Sequence, residues 1–184
     1  MSSVFDPTAR ALAMWRYHGQ ERPPFAEAPG PGQESVWDYP RPPCIEADPR
    51  EVLIRVGDVE IARTTRALRV LETASPPTYY LPEEDVLAGA LHAARGASSC
   101  EWKGSARYLT VVAGGLRFDK SAWTYPQPLP AFDRLRGHVG FYAKPFECFV
   151  GGQAVLPQPG MFYAGWITPE IVGPFKGDVG SAGW

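Results

Sequence analysis

Four side chains near the middle of the sequence carry groups that can move protons or hold charge. They are Glu72, Tyr80, Cys100 and Lys103. Carboxylates and amines serve as general acids and bases, and a fixed cation stabilises negative charge that develops on a substrate. A cysteine close to a cation can also be held as a nucleophilic thiolate. These residue types predict catalytic roles for all four in one acid–base site.

Glu72 ends the segment Leu68-Arg-Val-Leu-Glu72, which has the composition of a β-strand. Alternation along a strand puts Leu68, Val70 and Glu72 on one face. If that face is the core face, the Glu72 carboxylate must pair with a cation, accept hydrogen bonds or take up a proton. Two interpretations follow: a structural salt bridge with an arginine or Lys103, or a general acid or base at the mouth of a small pocket.

The other three residues lie in two short segments. In Ser75-Pro-Pro-Thr-Tyr-Tyr-Leu-Pro82 the prolines favour extended backbone, so the two tyrosines face opposite sides and one can present its hydroxyl to a pocket. In Cys100-Glu-Trp-Lys-Gly104, Lys103 can hold an anionic substrate, act as a base or form a Schiff base. Cys100 is either a thiolate held by that lysine or an inert buried thiol.

Cationic and aromatic side chains are predicted to complete the substrate-binding surface. We expect cations at its rim and aromatic rings in its walls, from Arg69, Arg107, Tyr79, Trp123, Tyr125 and Tyr142. An aromatic-lined cavity with a few convergent polar groups is the usual form of a small-molecule site. The alternative for the aromatic residues is the hydrophobic core.

The composition excludes several functional classes. The formal net charge is −2, whereas non-specific nucleic-acid binding needs a strong basic excess, so no nucleic-acid partner is predicted. No apolar run is long enough to span a bilayer and no hydrophobic signal segment begins the chain, so no membrane association is predicted. The three cysteines form no disulfide pattern, which predicts reduced thiols and a cytoplasmic location.

No metal or cofactor is predicted. The three histidines are scattered along the chain and no Cys-x-x-Cys pair occurs. A Walker A loop, a glycine-rich dinucleotide turn, a Gly-x-Ser-x-Gly elbow and a His-Glu-x-x-His motif are also absent. The expected chemistry therefore depends on side chains alone.

Short strands at close intervals predict a mainly β fold, a small antiparallel barrel or sandwich built of hairpins. Three hairpins are expected to turn at Gly57-Asp58, Gly114-Gly115 and Gly151-Gly152. Further strands are predicted at Ala67–Glu72, Thr78–Leu81, Ser121–Tyr125 and His138–Tyr142.

Two helices are also expected. An apolar stripe follows Pro82 and the acids after it, which predicts one covering helix to about Ala94. Near the N-terminus, Asp6 could cap a short helix that begins at Pro7 and runs to Gly19. We divide the chain into an N-terminal helical appendage with a Pro/Gly linker (1–35), a β domain (36–156) and an ordered aromatic and glycine-rich C-terminal strap (157–184).

Four blocks of unusual residues occur in order: Leu71-Glu-Thr-Ala-Ser-Pro-Pro-Thr-Tyr-Tyr-Leu-Pro82, Ser99-Ser-Cys-Glu-Trp-Lys-Gly-Ser-Ala-Arg-Tyr108, Ala122-Trp-Thr-Tyr-Pro126 and Gly140-Phe-Tyr142. In this order they resemble the bacterial and fungal DUF427 family, a domain of unknown function, in its longer bacterial form with an aromatic and glycine-rich tail. The resemblance runs from about Trp37 to Trp184. Ser75 stands where many members have His, and Glu101 stands where the family commonly has Pro.

The family is sometimes labelled nucleotidyltransferase-like, but this sequence does not support that activity. Such enzymes need a Gly-Ser helix start and paired metal-binding aspartates, and no Asp-x-Asp occurs here. The pattern of polar groups among apolar ones instead favours a metal-independent enzyme that uses acid–base chemistry on a small molecule. Two alternatives stay open: a non-catalytic module that binds a small ligand, and a homodimeric scaffold protein whose aromatic tail is the interface.

Overall fold

The protein is described by a computed structural model covering residues 7–160 and 162–184, and it is mainly β. The strands, in chain order, are β1 (Glu34–Ser35), β2 (Cys44–Asp48), β3 (Val52–Val56), β4 (Val59–Thr64), β5 (Ala67–Glu72), β6 (Ser75–Pro82), β7 (Leu91–Cys100), β8 (Gly104–Ala113), β9 (Leu116–Thr124), β10 (His138–Phe141), β11 (Glu147–Val150), β12 (Gln153–Ala154), β13 (Leu156–Pro157), β14 (Trp166–Ile167) and β15 (Ile171–Val172). The helical segments among these residues are α1 (Pro7–Leu12) and short 3-10 helices at Val36–Asp38, Glu83–Asp85 and Pro130–Leu135.

Two antiparallel sheets pack as a small sandwich. The larger has seven strands in the order β2-β5-β6-β10-β9-β8-β7, and the smaller has four in the order β12-β11-β3-β4. The three predicted hairpins are confirmed as β3–β4, β8–β9 and β11–β12. Gly114 and Gly115 both adopt positive φ, which a type I′ turn requires and which glycine supplies without steric cost.

Side-chain alternation gives the seven-stranded sheet two buried faces. The inner face packs against the four-stranded sheet and forms a core that includes Tyr79, Leu81, Val139, Phe141 and Ile54. The outer face forms a second cluster that includes Leu68, Val70, Tyr80, Trp123 and Tyr125. Adjacent residues of one strand therefore face different surroundings. The outer face lies outside the core between the two sheets.

The expected covering helix after Pro82 is wrong. Its first turn forms as a 3-10 helix at Glu83–Asp85, but Leu91–Cys100 is strand β7, which pairs with β8 along its length. Gly89 has a φ of +78°, which a helix cannot contain, and the Leu87 amide donates to the Ile61 carbonyl instead of to its own segment. Pairing with a neighbouring strand therefore overrides the weak helical pattern.

The N-terminal helix is shorter than predicted. Its proposed cap, Asp6, lies outside the described residues, and α1 ends at Leu12 instead of continuing to Gly19. His18 Nε2 lies 3.0 Å from the Leu12 carbonyl oxygen and 2.9 Å from that of Trp15. A side chain thus reaches carbonyl groups that the next helical turn would have satisfied.

Both terminal segments pack on the sandwich. Strand β1 pairs in parallel with β15, and an aromatic cluster joins Phe25 and Trp37 to Trp184. Trp166 is fully buried, stacks on Tyr79 and donates its indole N–H to the Phe141 carbonyl at 2.9 Å. The C-terminal segment is therefore integral to the core of the described structure.

Candidate functional site

A cavity of about 330 Å³ lies on the outer face of the seven-stranded sheet. Its floor comes from β5, β6, β8 and β9, through residues such as Val70, Tyr80, Ala106 and Trp123. Its roof comes from both terminal segments, with Met14 and Trp15 on one side and Gln158, Phe162, Tyr163, Ala164 and Lys176 on the other. The cavity therefore exists only because remote parts of the chain meet over one sheet.

The floor is shaped by the absence of a side chain at Gly140. This residue pairs with Tyr80 on one side and Trp123 on the other, and a Cβ at this position would lie 2.5 Å from the Trp123 ring. Only glycine leaves room for the indole, which then lies across β10. The Trp123 indole N–H donates to the Tyr80 hydroxyl at 3.3 Å, which fixes the direction of that phenol.

Glu72 is anchored by a buried arginine. Arg41 Nε lies 3.2 Å from Glu72 Oε1, and its two other nitrogens donate to the carbonyls of Tyr17 and Thr73, each at 2.8 Å. The Arg41 side chain is fully buried, whereas the Glu72 side chain keeps about a fifth of its surface, 19%, exposed towards the cavity. Arg41 therefore holds one carboxylate oxygen, and the Glu72 side chain stays partly accessible.

Lys103 faces the same cavity without an ion pair. Among residues 7–160 and 162–184, no carboxylate lies within salt-bridge distance of its ammonium group. Burial lowers the pKa of Lys103, whereas electrostatic interaction with the acidic groups Tyr80, Cys100, Tyr125 and Glu72 raises it, and the net direction is upward. Lys103 therefore favours its protonated form and forms no ion pair within the described part of the chain.

The phenol of Tyr80 is held in its protonated form. Burial raises the pKa of Tyr80, and the nearby Lys103 charge opposes that change without reversing it. The pKa of Tyr125 is raised by burial and by Tyr80, again with Lys103 in opposition. Two protonated hydroxyls thus lie beside a cation, an arrangement that can donate hydrogen bonds to an oxyanion.

A second lysine, Lys176, enters the cavity from the C-terminal segment. Its residue surface is only 4% exposed, and its Nζ lies 3.3 Å from the centroid of the Trp15 ring. The guanidinium of Arg41 lies over the same ring at 4.7 Å. Burial, with a further contribution from Arg41, lowers the pKa of Lys176 to about 8, and Glu72 and Glu101 oppose that change.

The sequence matches the family model described as Domain of unknown function (DUF427) over residues 44–152. The chain belongs to the DUF427 family. No curated protein matches it. The DUF427 match contains the sheet floor with Glu72, Tyr80, Cys100 and Lys103, whereas Arg41, Trp15 and Lys176 lie outside the matched range.

Seven of the ten predicted site residues of this DUF427 protein line the cavity. They are Glu72, Tyr80, Cys100, Lys103, Trp123, Tyr125 and Tyr142. The structure thus places residues that are up to seventy positions apart in the sequence, from Glu72 to Tyr142, around one cavity. Their chemical roles stay predictions.

Arg69, Arg107 and Tyr79 do not line this cavity, so the structure does not bring them together with the other seven residues, and their contact with a ligand stays a prediction. Arg69 and Tyr79 are adjacent in the β5–β6 ladder, on the face opposite Glu72 and Tyr80. Arg69 pairs with Glu34 and Glu46, and the Tyr79 hydroxyl donates to Asp48 at 2.9 Å. Arg107 is exposed, and it lies between Ala106 and Tyr108, whose side chains line the cavity from the other face.

Two residues of the candidate site were missed from the sequence. Arg41 lies between prolines, in a segment without periodicity, and nothing nearby indicated its role. Lys176 gave a weak signal, since it is the lone cation of the segment Gly173-Pro-Phe-Lys-Gly177. Its backbone is fixed on both sides: its amide donates to the Ala74 carbonyl at 2.7 Å, and its carbonyl accepts from Gln158 Nε2 at 2.7 Å.

Other features of the DUF427 chain bear on the site less directly. Cys44, Cys100 and Cys148 are free thiols, and of these Cys100 lines the cavity. No three His, Cys, Asp or Glu side chains are grouped as a metal site would need within the described residues. None of the helices in the same part of the chain is long and apolar enough to cross a membrane.

Proposed function

We propose that this protein is an enzyme that binds a small, negatively charged organic molecule in the cavity and moves a proton on it. The observation that carries the proposal is the convergence on one cavity of a carboxylate, protonated phenols and two lysines that form no ion pair among the described residues. Burial makes the ammonium of Lys176 costly, which is the main reason for its lowered pKa. A ligand with an anionic group would supply the missing partner.

Each group has a role that its surroundings support. Lys103 holds the anionic group of the ligand, because its raised pKa favours the ammonium form and the residue lines the cavity. The exposed part of the Glu72 carboxylate takes or returns the proton. Tyr80 donates a hydrogen bond to oxygen as negative charge develops there.

Cys100 and the aromatic residues complete the proposal. The Cys100 thiol lines the cavity on the same side as Lys103, where it can contact the substrate or act as a nucleophile. Trp123, Tyr125 and Tyr142 form walls that fit a flat or apolar part of the molecule. No metal is needed for proton transfer between these groups. Elemental analysis tests whether the protein works without a metal, because stoichiometric zinc would contradict that part of the proposal.

Proton transfer can be tested without knowing the natural substrate. Small 2-oxo and 3-oxo acids would be incubated with the protein in deuterium oxide, and loss of the C–H signal next to the carbonyl would be followed by proton NMR. The wild type should accelerate exchange with at least one compound. Glu72→Gln should slow it about 100-fold or more, because general acid–base catalysis contributes effects of that size.

Binding measured on the same variants separates the roles. Lys103→Met should weaken binding of the acid, whereas Glu72→Gln should change it little. Lys144→Met, which removes an exposed lysine outside the cavity, is the matched control. Failure of the wild type both to bind and to exchange any of these acids would refute the proposed function.

The structure also favours one alternative. The Arg41–Glu72 salt bridge fixes the carboxylate, as expected for a module that binds a ligand without converting it. Binding without exchange would establish that alternative. If Glu72→Gln costs several kcal/mol of stability and leaves binding unchanged, the carboxylate is structural.

The proposal also covers the origin, the location and the partners of the protein. A bacterial origin and a cytoplasmic location are proposed, the latter because the three cysteines are unpaired in the described structure. The partner is a small molecule, and nucleic acid and membrane are not proposed.

The homodimeric scaffold alternative is supported by Phe162 and Leu156, which are 70% and 64% exposed. Because Trp166 is core, Phe162→Ser tests it better than deletion of the tail, with light scattering of the intact chain as the readout.

A further inference from the structure

We propose that Lys176 is a nucleophilic amine that forms an imine with the carbonyl carbon of a small oxo acid bound in the cavity. The inference rests on the proposed function, because Lys103 is taken to hold the acid group of the same molecule. It deepens that function by naming the substrate class, a carbonyl compound that also carries a carboxylate. It also assigns a covalent role to a residue that lies outside the region matched by the family model.

The position of Lys176 suits a covalent anchor. Its amine lines the cavity that contains Glu72 and Lys103, and its backbone is fixed by two hydrogen bonds of 2.7 Å. No carboxylate within the described part of the chain lies at salt-bridge distance from it. Lys176 therefore lines the cavity with its amine held on the Trp15 ring and not by a carboxylate of the described residues.

The surroundings of Lys176 also favour an uncharged amine, which attack on a carbonyl requires. The charged or titratable groups that face it are Arg41, Glu72, Glu101 and Tyr163. Burial and the Arg41 charge disfavour the ammonium, and the resulting pKa of about 8 leaves a useful fraction of free amine near neutral pH. Lys103 is not suited to this role, because its raised pKa keeps it protonated.

The Trp15 ring accounts for the stability of the product. Its face lies 3.3 Å from Nζ, and an aromatic face attracts a cation. An iminium carries its positive charge on that same nitrogen, so the ring stabilises the adduct as it stabilises the ammonium. The interaction that holds the free lysine in place therefore survives imine formation.

The reaction balances without a further reagent. The amine lone pair forms a C–N bond to the carbonyl carbon, and the oxygen becomes a hydroxyl. That hydroxyl leaves as water after it takes a proton from solvent, and the nitrogen keeps one hydrogen, so the product is a protonated imine. The protonated imine then withdraws electrons from the neighbouring C–H bond, so a base such as Glu72 can remove the proton and leave an enamine. Hydrolysis returns the free lysine.

Reductive trapping tests the inference directly. The full-length protein would be incubated separately with pyruvate, phenylpyruvate and acetoacetate in the presence of sodium cyanoborohydride. Intact mass spectrometry and peptide mapping would then follow. We expect a single reduced adduct on Lys176 with at least one probe, formed faster as pH rises through about 8. Lys176→Arg should abolish that adduct, and Lys144→Arg should not.

Several outcomes would overturn the inference. It fails if no probe gives an adduct on Lys176, or if labelling spreads equally over surface lysines. Mapping of the wild type keeps this test independent of whether a Lys176 variant folds. Deuterium exchange on the same samples separates the two proposals. Exchange that persists unchanged in Lys176→Arg overturns the imine and leaves the proposed function standing, whereas trapping without exchange supports the imine and overturns proton transfer.

Discussion

Replacing Lys176 by methionine should change how the stability of the protein depends on pH. Burial lowers the pKa of Lys176 from 10.5 to about 8, and the Arg41 charge acts in the same direction. Between these two values the unfolded chain binds a proton that the native protein does not bind. The free energy of unfolding of the wild type should therefore rise with pH in this window, relative to a variant without the amine.

The size of the effect follows from the shift. At pH 7 the native protein must keep a poorly solvated ammonium, which costs about 3 kcal/mol for a shift of about 2.5 pKa units. At pH 10 the native lysine is neutral and the remaining cost is about 1 kcal/mol. The stability of the wild type relative to Lys176→Met should thus improve by about 2 kcal/mol between the two pH values.

Urea unfolding followed by tryptophan fluorescence at pH 7 and pH 10 measures this difference. Methionine is one atom shorter than lysine but unbranched and flexible, so it can fill most of the same space beside Trp15. Lys144→Met is the control, and a change that it shares with Lys176→Met reflects the loss of charge in general. A difference between wild type and Lys176→Met that does not vary with pH would refute the view that Lys176 is a buried amine of lowered pKa.

Three further predictions concern the floor of the cavity and its anchor. Gly140→Ala should displace the Trp123 ring, which a Cβ would approach to 2.5 Å, at a cost of about 1–3 kcal/mol in unfolding free energy, and it should weaken oxo-acid binding in a calorimetric titration. Unchanged binding would show that Trp123 does not shape the site. Arg41→Met should lower the free energy of unfolding in urea by about 3–5 kcal/mol, because it leaves Glu72 and two carbonyls without their donor. Glu72→Gln keeps an acceptor for Arg41 and should cost less. Equal costs for the two variants would contradict this difference between donor and acceptor. Tyr80→Phe should slow deuterium exchange while Tyr79→Phe should not, and the reverse result would place the reactive phenol on the wrong face of the sheet.

The strand faces could be predicted from the sequence because side-chain direction alternates with a fixed period. Alternation correctly places Leu68 and Val70 on the face that ends at Glu72, and it separates Tyr80 from Tyr79. The same rule puts Arg69 on the other face, so its assignment to the site was inconsistent with the pattern. Where a prediction depended only on this local geometry, the structure agrees with the rule.

The helix prediction failed because strand pairing between β7 and β8 outweighed a weak local helical pattern. Apolar residues at helical spacing after Pro82 are also compatible with a turn followed by a strand. The partner strand β8 supplies backbone hydrogen bonds from Gly104 to Val111, and no short window of sequence contains that information. Gly89 within the predicted helix and Gly96 just after it were the residues in the sequence that disfavoured a helix.

Arg41 and Lys176 could not be predicted because their contacts cross the whole chain. Lys176 meets Trp15 across 161 positions (176 − 15), and Arg41 reaches Glu72 across 31. Neither residue belongs to a periodic element, and both lie outside residues 44–152. The sheet floor of the site was thus visible in the sequence, whereas its anchor and its second cation appear only in the folded protein.

The central claim is that Lys103 and Lys176 together hold a small oxo acid in the cavity. A crystal structure of the protein with phenylpyruvate, at a concentration that saturates binding in solution, tests it most directly. The account predicts the carboxylate within hydrogen-bond distance of Lys103 Nζ and the carbonyl carbon joined to, or directly facing, Lys176 Nζ. An empty cavity under saturating conditions, or a molecule bound elsewhere on the protein, would contradict it.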